Sequence, residues 1–239
     1  MSETPIFDAL YQGPSNRFAC AALNVVANTP GGVYNPLWLY GPSGTGKTAL
    51  LSATAAALRD HPSRPLILRI DAEQLVHDMI RAIEHRSTEE FRARILGFQV
   101  ILVDHADYLD GRCHTQAQVG LLLGEAVRLG TQVLLASSCG PAVLEDLEQK
   151  FQTYCPWLLH CDLPLPPPEE RLVITRHMAR ERALPLSERM ACQITHATQT
   201  PAQIRCIIHH LSARRKLLQL EEAGLSAALD HLLEREVCV

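Results

Sequence analysis

"PLWLYGPSGTGKTALL", residues 36–51, sets a short apolar run against a glycine-rich loop that opens into a helical pattern. Strand, loop, helix is the context in which the pattern G-x-x-x-x-G-K-[ST] holds phosphate. Glycines at 41, 44 and 46 let the backbone wrap so that its N–H groups point inward, aided by the positive end of the next helix. The loop residues Gly41, Pro42, Ser43, Gly44, Thr45, Gly46, Lys47 and Thr48 are therefore expected to bind the phosphates of ATP. Lys47 is predicted to reach the β and γ phosphates, and Thr48 to offer its hydroxyl to Mg²⁺.

Outward from this loop, further strand-length apolar runs alternate with helical patterns: PLILRID (65–71), VILVD (100–104), QVLLASS (132–138) and WLLHCDL (157–163). With PLWLYG (36–41) they predict an α/β fold, a five-stranded parallel sheet sandwiched by helices. The runs are nearly continuously apolar, as in a sheet covered on both faces. The proline-rich LPLPPPEER (163–171) suits neither a strand nor a helix interior, so a boundary is expected near residue 165. The first domain is then 1–165, and 166–239 forms a small all-α lid. Its helices are predicted at about 168–183, 187–198, 201–219 and 223–235, with N-caps at Ser187 and Thr200.

Asp104 closes the buried run VILVD, where an acid can complete a Mg²⁺ shell through water. A nucleotide site of this kind would be expected to carry two acids in a row, but after Asp104 the chain reads His105. His105 is the candidate catalytic residue, with Asp107 as a possible substitute. A neutral imidazole accepts a hydrogen bond from water, whereas an imidazolium beside Lys47 and Mg²⁺ repels.

Other function classes are limited by composition. Net charge is −4, with 22 Lys and Arg against 26 Asp and Glu, so no global positive field draws the chain to nucleic acid. No apolar run reaches the ~20 residues of a membrane span, and MSETPIFDAL lacks a signal-peptide pattern. No membrane association and a cytoplasmic location are expected. The eight cysteines contain no C-x2-C pair, so they are read as reduced thiols.

The segment SNRFACAALNVVANTPGGVYNPLWLYGPSGTGKTALL (15–51) resembles the start of the AAA+ P-loop NTPase domain of the DnaA family of bacterial replication initiators. FRARILGFQVILVDHADYLDG (91–111), LEDL (144–147), PPPEER (166–171) and AQIRCIIHHL (202–211) follow in that family's order. The resemblance implies that Phe7, Asn16 and the residues around Gln12 and Gly13 pack about adenine. It places Arg205 on the lid arginine that senses the γ-phosphate, and Ser138 on the polar sensor after the fourth strand. The segment 73–94, with Arg81, Arg86, Arg92 and Arg94, falls where the family touches single-stranded DNA, although Asp78, Glu84, Glu89 and Glu90 interleave there as on a mixed solvated helix.

The resemblance also implies what differs. No arginine lies from 129 through 170, the interval of the family's trans-acting arginine, and Lys150 gives a point charge rather than a fork. The 239 residues hold no counterpart of the family's helix-turn-helix domain, so no sequence-specific duplex binding is expected. The implied function is that of a DnaA/Hda-like stand-alone homologue. It would bind ATP, hydrolyse it weakly, and associate with a DnaA-type initiator or another AAA+ partner. The alternative is a DNA-dependent ATPase or helicase loader.

Overall fold

The computed structural model describes residues 10–154 and 157–234. Strands β1 (Leu37–Tyr40), β2 (Ile67–Asp71), β3 (Val100–Asp104), β4 (Gln132–Ser137) and β5 (Leu159–Asp162) form one sheet in the order β2-β3-β4-β1-β5. Every neighbouring pair is parallel, as runs separated by helical crossovers require. The register sets the C-terminal ends of the strands level: Tyr40 pairs with Ser137, and Asp71 with Asp104.

Helices α1 (Arg17–Asn28), α2 (Lys47–Asp60), α3 (Ala72–Glu84), α4 (Thr88–Leu96), α5 (Cys113–Arg128) and α6 (Glu145–Tyr154) intervene along the chain. The inner strands β3 and β4 are buried throughout, which explains their unbroken apolar character. β2 differs from that expectation of full cover. It lies at the sheet edge, and Arg69 and Asp71 are exposed. The core includes Trp38, Ile101, Val103, Leu123, Val133, Leu135 and Phe151. Fully burying each of the larger apolar side chains contributes about 1.5–3 kcal/mol.

The chain divides into two units. Among the described residues, one comprises 16–42 and 47–163; the other takes 10–15, 43–46 and 164–234. The second holds α7 (Pro168–Glu181), α8 (Glu188–Ala197), α9 (Pro201–Leu218) and α10 (Glu222–Glu234) around a core of Ile174, Met190, Ile194, Ile204, Ile208 and Leu229. The Ser187 hydroxyl accepts the Met190 N–H at the start of α8. Thr200 and Gln203 form a reciprocal capping box at α9, with Pro201 in its first turn. No described helix is long and apolar enough to cross a membrane.

Candidate nucleotide-binding site

The loop after β1 uses its glycines for backbone that other residues adopt only under strain. Gly41, Gly44 and Gly46 have φ of 149°, 81° and 110°. A Cβ on Gly41 would stand 2.2 Å from the Leu163 carbonyl oxygen, so the chain leaves β1 against the backbone that follows β5. Within the second unit, the Gly44 carbonyl accepts the Ala202 N–H at 3.1 Å, and a Cβ on Gly44 would meet the Thr200 hydroxyl at 2.8 Å. Thr45 is buried, while Pro42, Ser43 and Thr48 are exposed.

Lys47 opens α2, and its ammonium donates to the carbonyls of Gly41 at 2.6 Å and Pro42 at 2.9 Å. Burial draws its pKa below the ordinary lysine value, against the opposing pull of Asp107, then Asp104 and Cys139.

Asp104 is buried at the end of β3. Its Oδ1 accepts the His105 backbone N–H at 3.0 Å, and among the described residues its Oδ2 has no hydrogen-bond partner and pairs only with the Arg69 guanidinium at 4.0 Å. Such an uncompensated buried carboxylate oxygen is costly unless a cation or water completes it. The residue is thus chemically fit to help hold Mg²⁺, alongside the exposed Thr48 hydroxyl.

His105 lies in the left-handed region, φ 52° and ψ 43°, where the chain turns from β3 into a short 3-10 segment, Ala106–Leu109. Its side chain is 62% exposed and its Nδ1 lies 3.2 Å from Asp71 Oδ1. A carboxylate only accepts, so Nδ1 donates in that bond. The imidazole is therefore engaged toward β2, the edge strand. Asp107 takes the other direction: its Oδ1 accepts the Ser138 backbone N–H at 2.7 Å, bridging to the end of β4. The left-handed residue turns the chain at the strand end, which separates the directions of the two side chains.

The end of β4 is held by a relay of hydrogen bonds through Ser137. Trp38 Nε1 donates to Ser137 Oγ at 2.8 Å, and that hydroxyl donates to the Cys139 carbonyl at 2.6 Å. Ser138 is exposed, so its backbone rather than its hydroxyl carries the recorded contact with Asp107. Cys139 is a free thiol whose pKa is raised by burial first, then by Asp107 and Asp110.

Asn16 immediately precedes α1, and its carbonyl accepts the Cys20 N–H at 2.9 Å. Phe7 lies outside the described residues. In the second unit, Gly13 is packed against Tyr11 and Glu170, and Glu170 Oε1 accepts the Ser15 hydroxyl at 2.7 Å and its N–H at 3.2 Å. Arg205 is exposed on α9, beside the buried Ile204.

On α4, Arg92 pairs with Glu125 at 2.5 Å and Arg94 with Asp78 at 3.2 Å, and Arg94 also covers the Phe91 ring. Two of the four arginines singled out in 73–94 are thus engaged with acids of this chain. On α6, the stem of Lys150 packs against Gly120 of α5, where a Cβ would come within 2.7 Å of the lysine Cβ.

Sequence reading missed Asp71 and Arg69 as neighbours of Asp104. The signal was present in principle, since both Asp71 and Asp104 end apolar runs, but only the strand register makes them face each other.

Comparison with known proteins agrees with the fold. A family model described as the bacterial DnaA ATPase domain matches residues 1–162. The chromosomal replication initiator protein DnaA of Roseiflexus castenholzii is 33% identical over 182 residues, 76% of this chain and 38% of that protein. The corresponding protein of Herpetosiphon aurantiacus is 30% identical over 233 residues, 95% of this chain and 49% of that protein. The chain thus spans less than half the length of these curated relatives. Among solved structures, domain III of the Thermotoga maritima replication initiation protein DnaA superposes with a TM-score of 0.82 at 25% identity, over 96% of this chain and 97% of that one. A replication initiator DnaA bound to AMPPCP and single-stranded DNA superposes with a TM-score of 0.78 at 22% identity, over 95% of this chain and 69% of that one. That last likeness bears on the fold alone. The chain belongs to the bacterial DnaA ATPase domain family.

Proposed function

We propose that the chain binds ATP with Mg²⁺ and uses the bound nucleotide to associate with a DnaA-type initiator or another AAA+ protein in the initiation of DNA replication. The observation that carries this reading is the phosphate loop, with its three positive-φ glycines and Lys47 beside the buried Asp104. In this reading Gly41 to Thr48 hold the phosphates, Thr48 and Asp104 hold Mg²⁺, and Asn16, Ser138 and Arg205 complete the nucleotide site. Held there by Thr48 and Asp104, a Mg²⁺ ion would neutralise phosphate charge. Lys47 exchanges its loop carbonyls for phosphate oxygens.

Hydrolysis is slow in this reading. The imidazole at 105 is engaged with Asp71, and no arginine falls in 129–170 to serve a neighbouring subunit. Bound ATP then acts chiefly as a conformational ligand, and the partner completes the cycle. Capture of a purified DnaA-type initiator in ATP but not ADP, with loss of capture in Lys47→Ala, is the expected result. Equal capture in both nucleotides would overturn it.

One observation favours the second reading, an active DNA-dependent ATPase or helicase loader. Asp107 is a carboxylate near Lys47 and tied to the end of β4, and so has the chemistry of a water-orienting group. Turnover near 1 s⁻¹ by the purified protein, stimulated by single-stranded DNA, would favour that reading. Arg81 and Arg86, which form no ion pair among the described residues, are expected to support such a contact. The relative solved with AMPPCP and single-stranded DNA lends this its interest.

A further inference from the structure

We propose that Asp71, Asp104 and His105 form, in the nucleotide-free protein, a binding site for a divalent transition-metal cation of the zinc class, which shares Asp104 but not Thr48 with the proposed Mg²⁺ position. Among the described residues, this is the one trio of His, Cys, Asp or Glu whose ligand atoms lie within 4.8 Å of one another. It arises from strand register, since Asp71 and Asp104 end adjacent parallel strands side by side, and from the left-handed backbone at His105.

The distances suit a compact cation. Zinc binds nitrogen and carboxylate oxygen at about 2.0–2.2 Å, so tetrahedral ligand atoms stand about 3.3–3.5 Å apart. His105 Nδ1 is 3.2 Å from Asp71 Oδ1 and 4.0 Å from Asp104 Oδ1. Asp104 is fixed, 3% exposed, whereas the Asp71 and His105 side chains are each 62% exposed and free to close onto it. On binding, the cation takes the Nδ1 lone pair and the ring proton resides on Nε2, so the imidazole ligates in its neutral form.

A second observation favours a cation at Asp104: its Oδ2 is buried and has no hydrogen-bond partner among the described residues. Two carboxylates meet at the strand ends, and the Arg69 guanidinium approaches only one of them, at 4.0 Å. Arg69 is exposed and can swing outward as a divalent ion enters. The nitrogen ligand sets the class. Imidazole favours zinc, cobalt or iron over Mg²⁺, and three protein ligands leave a position for water.

The site does not depend on nucleotide binding, although it shares Asp104 with that reading. The test is therefore titration of the nucleotide-free protein with Co²⁺, read by visible ligand-field absorption and by calorimetry. One equivalent is expected to bind, with each of Asp71→Asn and His105→Ala weakening it at least about 10-fold, the loss that even an outer-shell partner can bring. Lys47→Ala and Thr48→Ala are expected to retain it, and millimolar Mg²⁺ is expected not to displace it. Equal uptake by the wild type and the Asp71→Asn/His105→Ala double variant would overturn the proposal, as would loss of uptake in Thr48→Ala. Because no nucleotide is present, failure of ATP binding in a parallel assay bears on the nucleotide reading alone.

Discussion

Replacing Asp107 by Asn separates two roles that its carboxylate can play. The substitution preserves size and leaves an amide oxygen that can accept the Ser138 N–H now held at 2.7 Å. It removes the charge, however, and a hydrogen bond to a charged acceptor is worth about 1.5–3 kcal/mol against about 0.5–1.5 for a neutral one. The positioning loss is therefore on the order of 1 kcal/mol, which slows a chemical step about 5-fold if it is felt wholly in the transition state. If Asp107 instead orients the attacking water, the loss is about 10²–10⁴-fold. Single-turnover hydrolysis of radiolabelled ATP distinguishes these magnitudes. If the second reading holds, the expected result is a loss above about 10²-fold with ATP still bound, since removing an anion near Lys47 relieves repulsion of the γ-phosphate. If turnover survives in Asp107→Asn within a few-fold but vanishes in His105→Ala, the reasoning fails and the imidazole does the work.

The remaining predictions concern the loop, the lid and the thiols. Lys47 must be charged to hold phosphate and its pKa is lowered by burial, so nucleotide affinity should fall as pH rises through that lowered value, and at a lower pH in Asp107→Asn, which loses the largest opposing contribution; fluorescence titration of a labelled ATP analogue across alkaline pH checks this. Gly44→Ala should cost about 1–3 kcal/mol of stability, through its left-handed backbone and the clash with Thr200, as measured by urea unfolding. Thr200→Ala removes one half of a capping box and should cost about 0.5–2 kcal/mol, with no change if α9 is capped by solvent instead. Burial pushes the thiols of Cys20 to about 11 and Cys161 to about 12, so both should resist alkylation at pH 8 until the protein unfolds, while the exposed Cys192 reacts ahead of them; peptide mass mapping reads the order.

The sheet was legible because its inner strands are covered on both faces. VILVD and QVLLASS can be little else, and β3 and β4 occupy 100–104 and 132–137. The edge strand was readable too, although its exposed Arg69 and Asp71 show that PLILRID is only partly covered. Lid helices follow from Ser187, Thr200 and Pro201, since each satisfies or avoids an orphan N–H at a helix start. The positions of side chains around Asp104 were not legible. That His105 leans to Asp71 while Asp107 reaches Ser138 depends on a single left-handed residue and on register between strands distant in sequence. Pattern carries neither.

The left-handed backbone at His105 also constrains what that position can become. Among ordinary residues, Asn, Asp and His visit this region several-fold more readily than the rest, and a β-branched side chain there is a genuine outlier. A route by which this chain regains an acid beside Asp104 therefore runs more easily through Asp than through Glu while the turn is kept. Residue 105 behaves as a narrow evolutionary gate, where backbone shape selects the chemistry that selection for catalysis can then act upon.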